Sequence, residues 1–503
     1  MTQVPVHVRV PFLLAFGMLL AQSGWLLSVP AFRGPDEFDH AYRAAAVARG
    51  EWAPSGRQAE NGRGELLTVP QALVEAASPE CRAAGYTGRD NCTPVARHTD
   101  GSVEVAGAAA RYHPAYYWLV GKAAGSDDGT TMLYKMRIVS MLLSVALVSL
   151  SGWAVSLWAR TRWPLAALLA CLSPVVVYSS IVVAPNAVEI LAALSLWLSL
   201  LGLTRRDLSM SVERALLWAS VPAAVVLATV RTLGIGWLAL CVLASAAVLS
   251  RGLPAVVRRN RSTVVICSSV VLLAVAAGGT WLRFAAPNRP EEHLDNPDAV
   301  AGSLIQLPVW VLQTISAAPG RTDPAPVLVY LLCGAVIGSL VVTGLRFGDR
   351  RLRLVLTCVG VLSLAGPLVV TLLTYRDVGV VWQGRYGMPL SLGVILLAGL
   401  ALDRPACRVT TRPGWLFLGG LLWAIGHTIV VVDVLDSLRR VSPSVAGGLW
   451  HVPSPWLVGA LMLASWAVMG LALWSPFSRT VKQDPSSRLL GRFVGRIRAG
   501  SSA

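Results

Sequence analysis

The stretch "GPDEFDHAYRAAAVARGEW", residues 34–52, follows directly on an apolar run over roughly residues 10–30. A run of that length crosses about 30 Å of hydrocarbon as a helix. Pro35, Asp36, Glu37, Asp39 and His40 therefore crowd the point where the first helix leaves the bilayer. Gly34-Pro35 reads as a helix start, with proline at the first helical position and acids in the first turn, at the positive end of the helix dipole. On that helix Asp36, Asp39, His40 and Arg43 fall at i, i+3, i+4 and i+7 on one face, with Phe38, Tyr42 and Ala45 on the neighbouring one. The pattern predicts a short helix lying at the membrane interface, acidic and polar on one side and apolar on the other.

Similar apolar runs recur along the whole chain of 503 residues, which is 54% hydrophobic and only 14% charged. That composition excludes a soluble domain and predicts an all-α polytopic membrane protein. The spans fall at about 10–30, 132–158, 163–182, 187–204, 213–230, 233–250, 262–284, 326–345, 354–374, 389–402, 414–433 and 456–475, about twelve helices in all. One transmembrane domain covers 1–480, a large first loop over 31–131 lies within it, and a basic tail over 481–503 follows. The first helix lacks a small-residue cleavage site and reads as a retained span.

The net charge of +16 comes largely from arginines in short loops: Arg160 and Arg162, Arg205 and Arg206, Arg251 to Arg261, Arg346 to Arg353, and Arg404, Arg408 and Arg412. Arginine in short loops marks the cytoplasmic side, and these loops follow every second span. Both termini are then cytoplasmic, in a bacterial cytoplasmic membrane, and the long loops face outward. No interleaving of basic and aromatic residues suggests a nucleic-acid surface. Six cysteines read as small apolar packers, whereas Cys81 and Cys92, in the polar first outer loop, are expected to pair in an oxidising compartment. The segment "YHPAYYWLVG", residues 112–121, is too short to span and suits the headgroup layer.

By this parity one face gathers Asp36, Glu37 and His40; His113, Tyr116 and Tyr117; Asn186 and Glu189; Arg231; and, in "TYRDVGVVWQGRYGMP", residues 374–389, Arg376, Asp377, Gln383, Arg385 and Tyr386. Outer helix ends are poor in arginine, so Arg231, Arg376 and Arg385 run against the topological bias, and a cation near hydrocarbon needs a partner. Phosphate is a good one, because guanidinium matches it bidentately. Acids nearby supply a general base or hold a divalent ion. Nucleotide sugars and ATP are confined to the cytoplasm, so an activated donor on this face has to be lipid-linked. The residues thus point to group transfer from a polyprenyl phosphate.

"PDEFDHAYRAAAVARG" resembles the PDE-xx-H signature of a domain-of-unknown-function family of bacterial integral-membrane proteins, and "RYHPAYYWLVG", "LYKMRIVSMLL" and "WQGRYGMPL" resemble its later blocks in the right order. In plan that family is similar to the GT-C membrane glycosyltransferases, in which an acidic pair in the first outer loop is essential and the donor is a polyprenyl-phosphate sugar. The resemblance implies Asp36 and Glu37 as the catalytic pair, with Mg or Mn as a divalent cation they could hold. It implies Arg385 and Tyr386 at the donor phosphate; by their place on the same outer face, Gln383 and Arg231 are expected beside them, and His40, His113, Tyr116 and Glu189 as further substrate contacts. The implied partners are a polyprenyl-phosphate-linked sugar, membrane lipids and an envelope glycan or glycoprotein acceptor. Where some relatives carry an acid between the third and fourth spans, this chain has Asn186, with Glu189 three residues later.

Each residue also has a structural reading. Asp36 and Glu37 can complement a helix dipole. Tyr116, Tyr117 and Trp118 can anchor at the interface, Glu189 can cap a span, and Arg231 and Arg385 can snorkel to headgroups. The rival function is a transporter or a flippase of an envelope precursor. "GLRFGDRRLR", residues 344–353, resembles the loops of major facilitator carriers, but the loop "WARTRWP" in the other half has no matching pattern.

Overall fold

The computed structural model describes residues 5–125, 127–249, 252–286, 299–403, 413–445 and 450–475. The tail expected over 481–503, Cys407, and the side chains of Arg376 and Asp377 lie outside the described residues. Helix α1 (Val6–Ser28) leads into α2 (Glu37–Ala48), strand β1 (Glu65–Pro70), α3 (Gln71–Cys81), a π-helical turn (Arg82–Tyr86), strands β2 (Ala96–Arg97) and β3 (Ser102–Gly107), and α4 (Pro114–Lys122). The body continues through α5 (Gly129–Trp158), α6 (Trp163–Cys171), α7 (Pro174–Ser179), α8 (Asn186–Gly202), α9 (Met210–Val230), α10 (Gly234–Leu249), α11 (Leu253–Arg259) and α12 (Arg261–Phe284). It ends with α13 (Ala299–Gln313), α14 (Val327–Phe347), α15 (Arg350–Val378), a 3-10 turn (Gly384–Gly387), α16 (Met388–Leu402), α17 (Pro413–Val445) and α18 (Pro455–Leu473).

The chain is a multi-pass membrane protein, all-helical in its body, and the expected count of about twelve spans is not confirmed. Among the described residues nine helices are long and apolar enough to cross a membrane, or ten if α10 and α11 form one bent span. The run expected over 163–182 breaks before Pro174 into α6 and α7, and α8 has only 17 residues. Every residue from Cys171 to Ser199 is buried. A helix enclosed by other helices is apolar all round, like one facing lipid, so hydropathy alone cannot separate the two. The lipid-facing role falls to helices such as α12, α14 and α15, which expose Leu273, Leu331 and Leu373.

Contacts sort the helix ends into two faces. On one, Asp403 at the end of α16 accepts from the Thr161 amide at 2.6 Å and pairs with Arg205, joining the ends of α5, α8 and α16. On the other, the loop between α1 and α5 meets the ends of α9 and α12 and the chain before α14. This agrees with the parity read from the arginine loops. The loop holds more structure than expected. Its sheet has the antiparallel order β1-β3-β2, with Leu67 opposite Val105 and Val69 opposite Val103, all four buried. The alternation in "ELLTVP" and "SVEVAG" was the available signal. Cys81 and Cys92 form a disulfide.

Helix α2 is corrected in two respects. It starts at Glu37, not Pro35, and Asp36 is its N-cap in a left-handed conformation (φ 58°). Nor does it lie on the interface: Glu37 to Val47 are all buried, under α4 and the sheet. The chain reverses between α1 and α2 through Phe32 (φ 61°) and Asp36. Such backbone persists only where its surroundings hold it.

Glu37 is the clamp. Its carboxylate accepts from Arg137 Nε at 2.8 Å and Nη2 at 2.6 Å, from the Val183 amide at 3.0 Å and from the Gly34 amide at 3.2 Å. Arg137 also donates to the carbonyls of Val29 and Pro30, each at 2.8 Å. Both side chains are wholly buried. One pair thus ties α1, α2, α5 and the turn before α8. Two further buried groups anchor α2. Asp39 accepts from the Ala108 amide at 2.8 Å, and His40 Nδ1 meets the Tyr117 hydroxyl at 2.7 Å. Burial pushes the Asp39 carboxyl up to about 7 despite its hydrogen bonds. Burial, then Arg231 and Arg385, pushes His40 down to about 3.

Removing one member of a buried ion pair leaves the other unpaired, at a cost of about 3–5 kcal/mol. Glu37→Gln and Arg137→Gln are each expected to lower the thermal midpoint of purified protein, and the double variant to lose less than the sum. Additive losses would mean the two side chains act separately. Asp39 and His40 give opposed pH dependence. The raised Asp39 pKa contributes stability that is full below the unfolded value of 3.8 and lost as pH rises through about 7. The depressed His40 pKa contributes stability that is present above 6.5 and lost as pH falls toward 3. The difference in thermal midpoint between wild type and Asp39→Asn is therefore expected to move steadily against wild type as pH rises from about 4 to 7. A difference that does not change with pH would place the Asp39 proton elsewhere.

Candidate functional site

Asp36 and Glu37 are neighbours with opposite surroundings. Glu37, at the first helical position, turns into the clamp. Asp36, in its left-handed cap, keeps 22% of its side chain exposed and pairs with Arg321 from the chain before α14. Asp36 and Arg321 line a cavity of about 600 Å³ with the π-helical turn and Asp323. Asp tolerates left-handed backbone better than most residues, which suits it to this cap.

Behind Arg321 lies a cluster of arginines at the helix ends. Arg321 is within electrostatic range of Arg385 and Tyr386. The Arg231 guanidinium carbon sits 4.5 Å from the centre of the Tyr386 ring, and that of Arg385 5.7 Å from it. Arg231 pairs with Glu189 at 3.3 Å. Arg385 is 5% exposed, and its Nε has no hydrogen-bond partner among the described residues. The glycine of "QGRY" makes this possible. A Cβ on Gly384 would lie 2.1 Å from the Trp310 carbonyl oxygen of α13, so only glycine lets this turn pack so closely. The Gly384 amide also donates to Gln313 Oε1 at 2.8 Å. Helix α13 was missed in the sequence, where its segment read as loop.

The sequence-derived residues separate into groups. Arg231, Glu189, Tyr386 and Arg385 come together, with His40 near enough for both arginines to depress its basicity. Asp36 joins them through Arg321. Gln383 is buried beside them, its Oε1 without a partner among the described residues. Glu37 is held in the clamp. His113 caps α4, its Nδ1 accepting from the Ala115 amide at 3.3 Å, and packs on Trp281. Tyr116 joins α4 to α5 through the Ser140 hydroxyl at 2.8 Å. Arg321 was not singled out in the sequence, although it carries the same signal as Arg231: an arginine on the face that should be poor in them.

A divalent cation shared by Asp36 and Glu37 does not fit this arrangement. Glu37's two oxygens already accept four hydrogen bonds, two of them from Arg137. Among the described residues no group of three or more His, Cys, Asp or Glu side chains converges. The site's chemistry is that of one carboxylate facing a cavity and three guanidinium groups around a phenol, an arrangement suited to a phosphate and a proton acceptor.

Two crystal structures of ArnT from Cupriavidus metallidurans are similar to this chain. The apo form matches at 16% identity and a TM-score of 0.42, covering 86% of this chain and 76% of that one. The form bound to undecaprenyl phosphate matches at 15% identity and a TM-score of 0.38, covering 86% and 77%. No curated protein matches the chain in sequence. The family model described as a predicted membrane protein, DUF2142, matches residues 19–394, well over half of the chain, and the chain belongs to that family.

Proposed function

We propose that this protein is a membrane glycosyltransferase of GT-C type, moving a sugar from a polyprenyl-phosphate donor to a hydroxyl of an acceptor on the extracytoplasmic side. One observation carries the reading. A strained, partly exposed Asp36 stands between a polar cavity and a set of arginines, of which the buried Arg385 has a donor unfilled among the described residues. A buried cation without an anionic partner is costly, and a lipid phosphate entering from the bilayer supplies the anion.

The step is a single displacement. The acceptor oxygen attacks the anomeric carbon, its proton passes to Asp36, and the bond from that carbon to the phosphate oxygen breaks, the electron pair leaving with the polyprenyl phosphate. Arg385 and Arg231 donate to the departing phosphate, whose bridging oxygen gains charge in the transition state. Tyr386, between them, keeps the two cations apart and in place. Arg321 has a shared role. Without donor it holds Asp36, and an ion-paired carboxylate is a poor base. An arriving phosphate gives Arg321 a second anion and frees Asp36 to take the proton. Glu37 acts through position only, fixing the backbone that carries Asp36.

The test is transfer by purified protein from an undecaprenyl-phosphate sugar to an envelope fraction. Asp36→Asn keeps size and shape and is expected to lower turnover by about 10²-fold or more, with normal yield. Arg385→Lys keeps the charge but loses the planar fork, so kcat is expected to fall with little change in donor KM. Wild-type turnover by Asp36→Asn removes it from the mechanism. Full activity in Arg385→Lys makes that arginine a headgroup anchor. Uptake of a solute into liposomes, without sugar transfer, would support the transporter.

A further inference from the structure

The cavity beside Asp36 is walled by a loop that the disulfide closes. Between Cys81 and Cys92 the chain makes the π-helical turn Arg82–Tyr86, with Gly85 at φ 91°, and then folds back on itself. The Arg89 amide bonds to the Tyr86 carbonyl, and the Cys92 amide to that of Arg89, both at 3.0 Å. Ala83, Ala84, Gly85, Tyr86 and Arg89 of this loop all line the cavity. The small side chains leave a shelf, and a Cβ built on Gly85 meets nothing within 4 Å.

The charges around the shelf are unequal. Arg33 is paired with Glu80 at 2.7 Å, and Arg321 with Asp36. Arg63 and Arg89 have no carboxylate partner among the described residues. Asp323 is the remaining acid of the lining, and its oxygen accepts from the Gly320 amide at 2.9 Å. Asp39, near Arg63, is buried and holds its proton up to about pH 7. Arg63 Nη1 reaches the Tyr86 hydroxyl at 3.3 Å, its guanidinium carbon 5.8 Å from that ring's centre. Phe38 meets Tyr86 edge-on, at 5.6 Å between centroids. Aromatic faces beside unpaired guanidinium groups match a ring-shaped ligand that carries negative charge. A volume of about 600 Å³ accommodates more than one sugar ring.

We infer that this cavity is the acceptor site and that it selects an anionic glycan. A sugar chain bearing a carboxylate or a phosphate would rest against Tyr86 and Phe38, with its negative group on Arg63 and Arg89 and the hydroxyl to be modified turned toward Asp36. Its role as acceptor rests on the glycosyltransferase reading, whereas its selectivity for anions rests on the lining alone. The disulfide then has a functional consequence: it holds the wall that reads the acceptor, while the arginines meeting the donor lie on elements it does not touch.

The experiment is titration of full-length detergent-purified protein, followed by saturation-transfer NMR, with trigalacturonate, a mannopentaose phosphate and neutral maltotriose. Undecaprenyl phosphate binding is measured alongside. At least one anionic probe is expected to bind about ten-fold more tightly than maltotriose at low salt, with the preference shrinking as ionic strength rises. The two anionic arms show whether carboxylate or phosphate is read. Arg63→Gln with Arg89→Gln, both exposed and so neutral for folding, is expected to abolish the preference and leave undecaprenyl phosphate binding unchanged. Cys81→Ser with Cys92→Ser is expected to weaken glycan binding alone. Equal binding of all three glycans, or a preference that survives the double arginine variant, overturns the inference. Anionic glycans bound without any binding of undecaprenyl phosphate overturn the glycosyltransferase reading and leave the anion-selecting cavity standing.

Discussion

The pair formed by Glu37 and Arg137 governs the geometry of everything around it. A charge cannot be left bare in a protein interior, so each of the two needs the other and every lone pair and proton needs a partner. Those partners come from the end of α1, the start of α2, helix α5 and the turn before α8. The hinge between α1 and α2 and two segments about a hundred or more positions away are thereby fixed at one point. The tight reversal through Phe32 and Asp36, which costs backbone strain, is held from that point. Asp36 is presented to the cavity because the residue after it is locked into the core.

The same rule sorts the other charges on this face. Arg231 has Glu189 and the face of Tyr386. Arg321 has Asp36 and Arg33 has Glu80. Arg385 deep in the protein and Arg63 and Arg89 at the cavity have no carboxylate partner among the described residues, and they lie on the two sides of Asp36. The proposed reaction uses this division: an anion from the lipid on one side, an anionic acceptor on the other, and the single base between them. Arg321 couples the two sides because it can serve only one anion fully at a time.

Helices α6, α7 and α8 are enclosed and can be short, since no lipid thickness has to be matched. Helix α13 replaces what would be loop, and its backbone comes so close to Gly384 that the turn carrying Arg385 and Tyr386 has little freedom. A rigid turn of this kind holds guanidinium groups in place without many direct bonds.

The sequence by itself determined the membrane class, the alternation of two faces and the set of residues on one of them, because hydropathy and arginine placement are local and additive properties of the chain. It also picked out the motif around Asp36, the "QGRY" turn and the two paired cysteines. Only the tertiary structure decided which of two adjacent acids is the clamp and which faces the cavity, since that turns on Arg137, about a hundred positions away. It also paired Arg321 with Asp36, a contact that the arginine's place on the outer face could not specify. It also showed which apolar helices are enclosed by others, and made α2 a core element where its amphipathic pattern had suggested the interface. In each case the deciding partner is distant along the chain, and a sequence carries no record of distance in space.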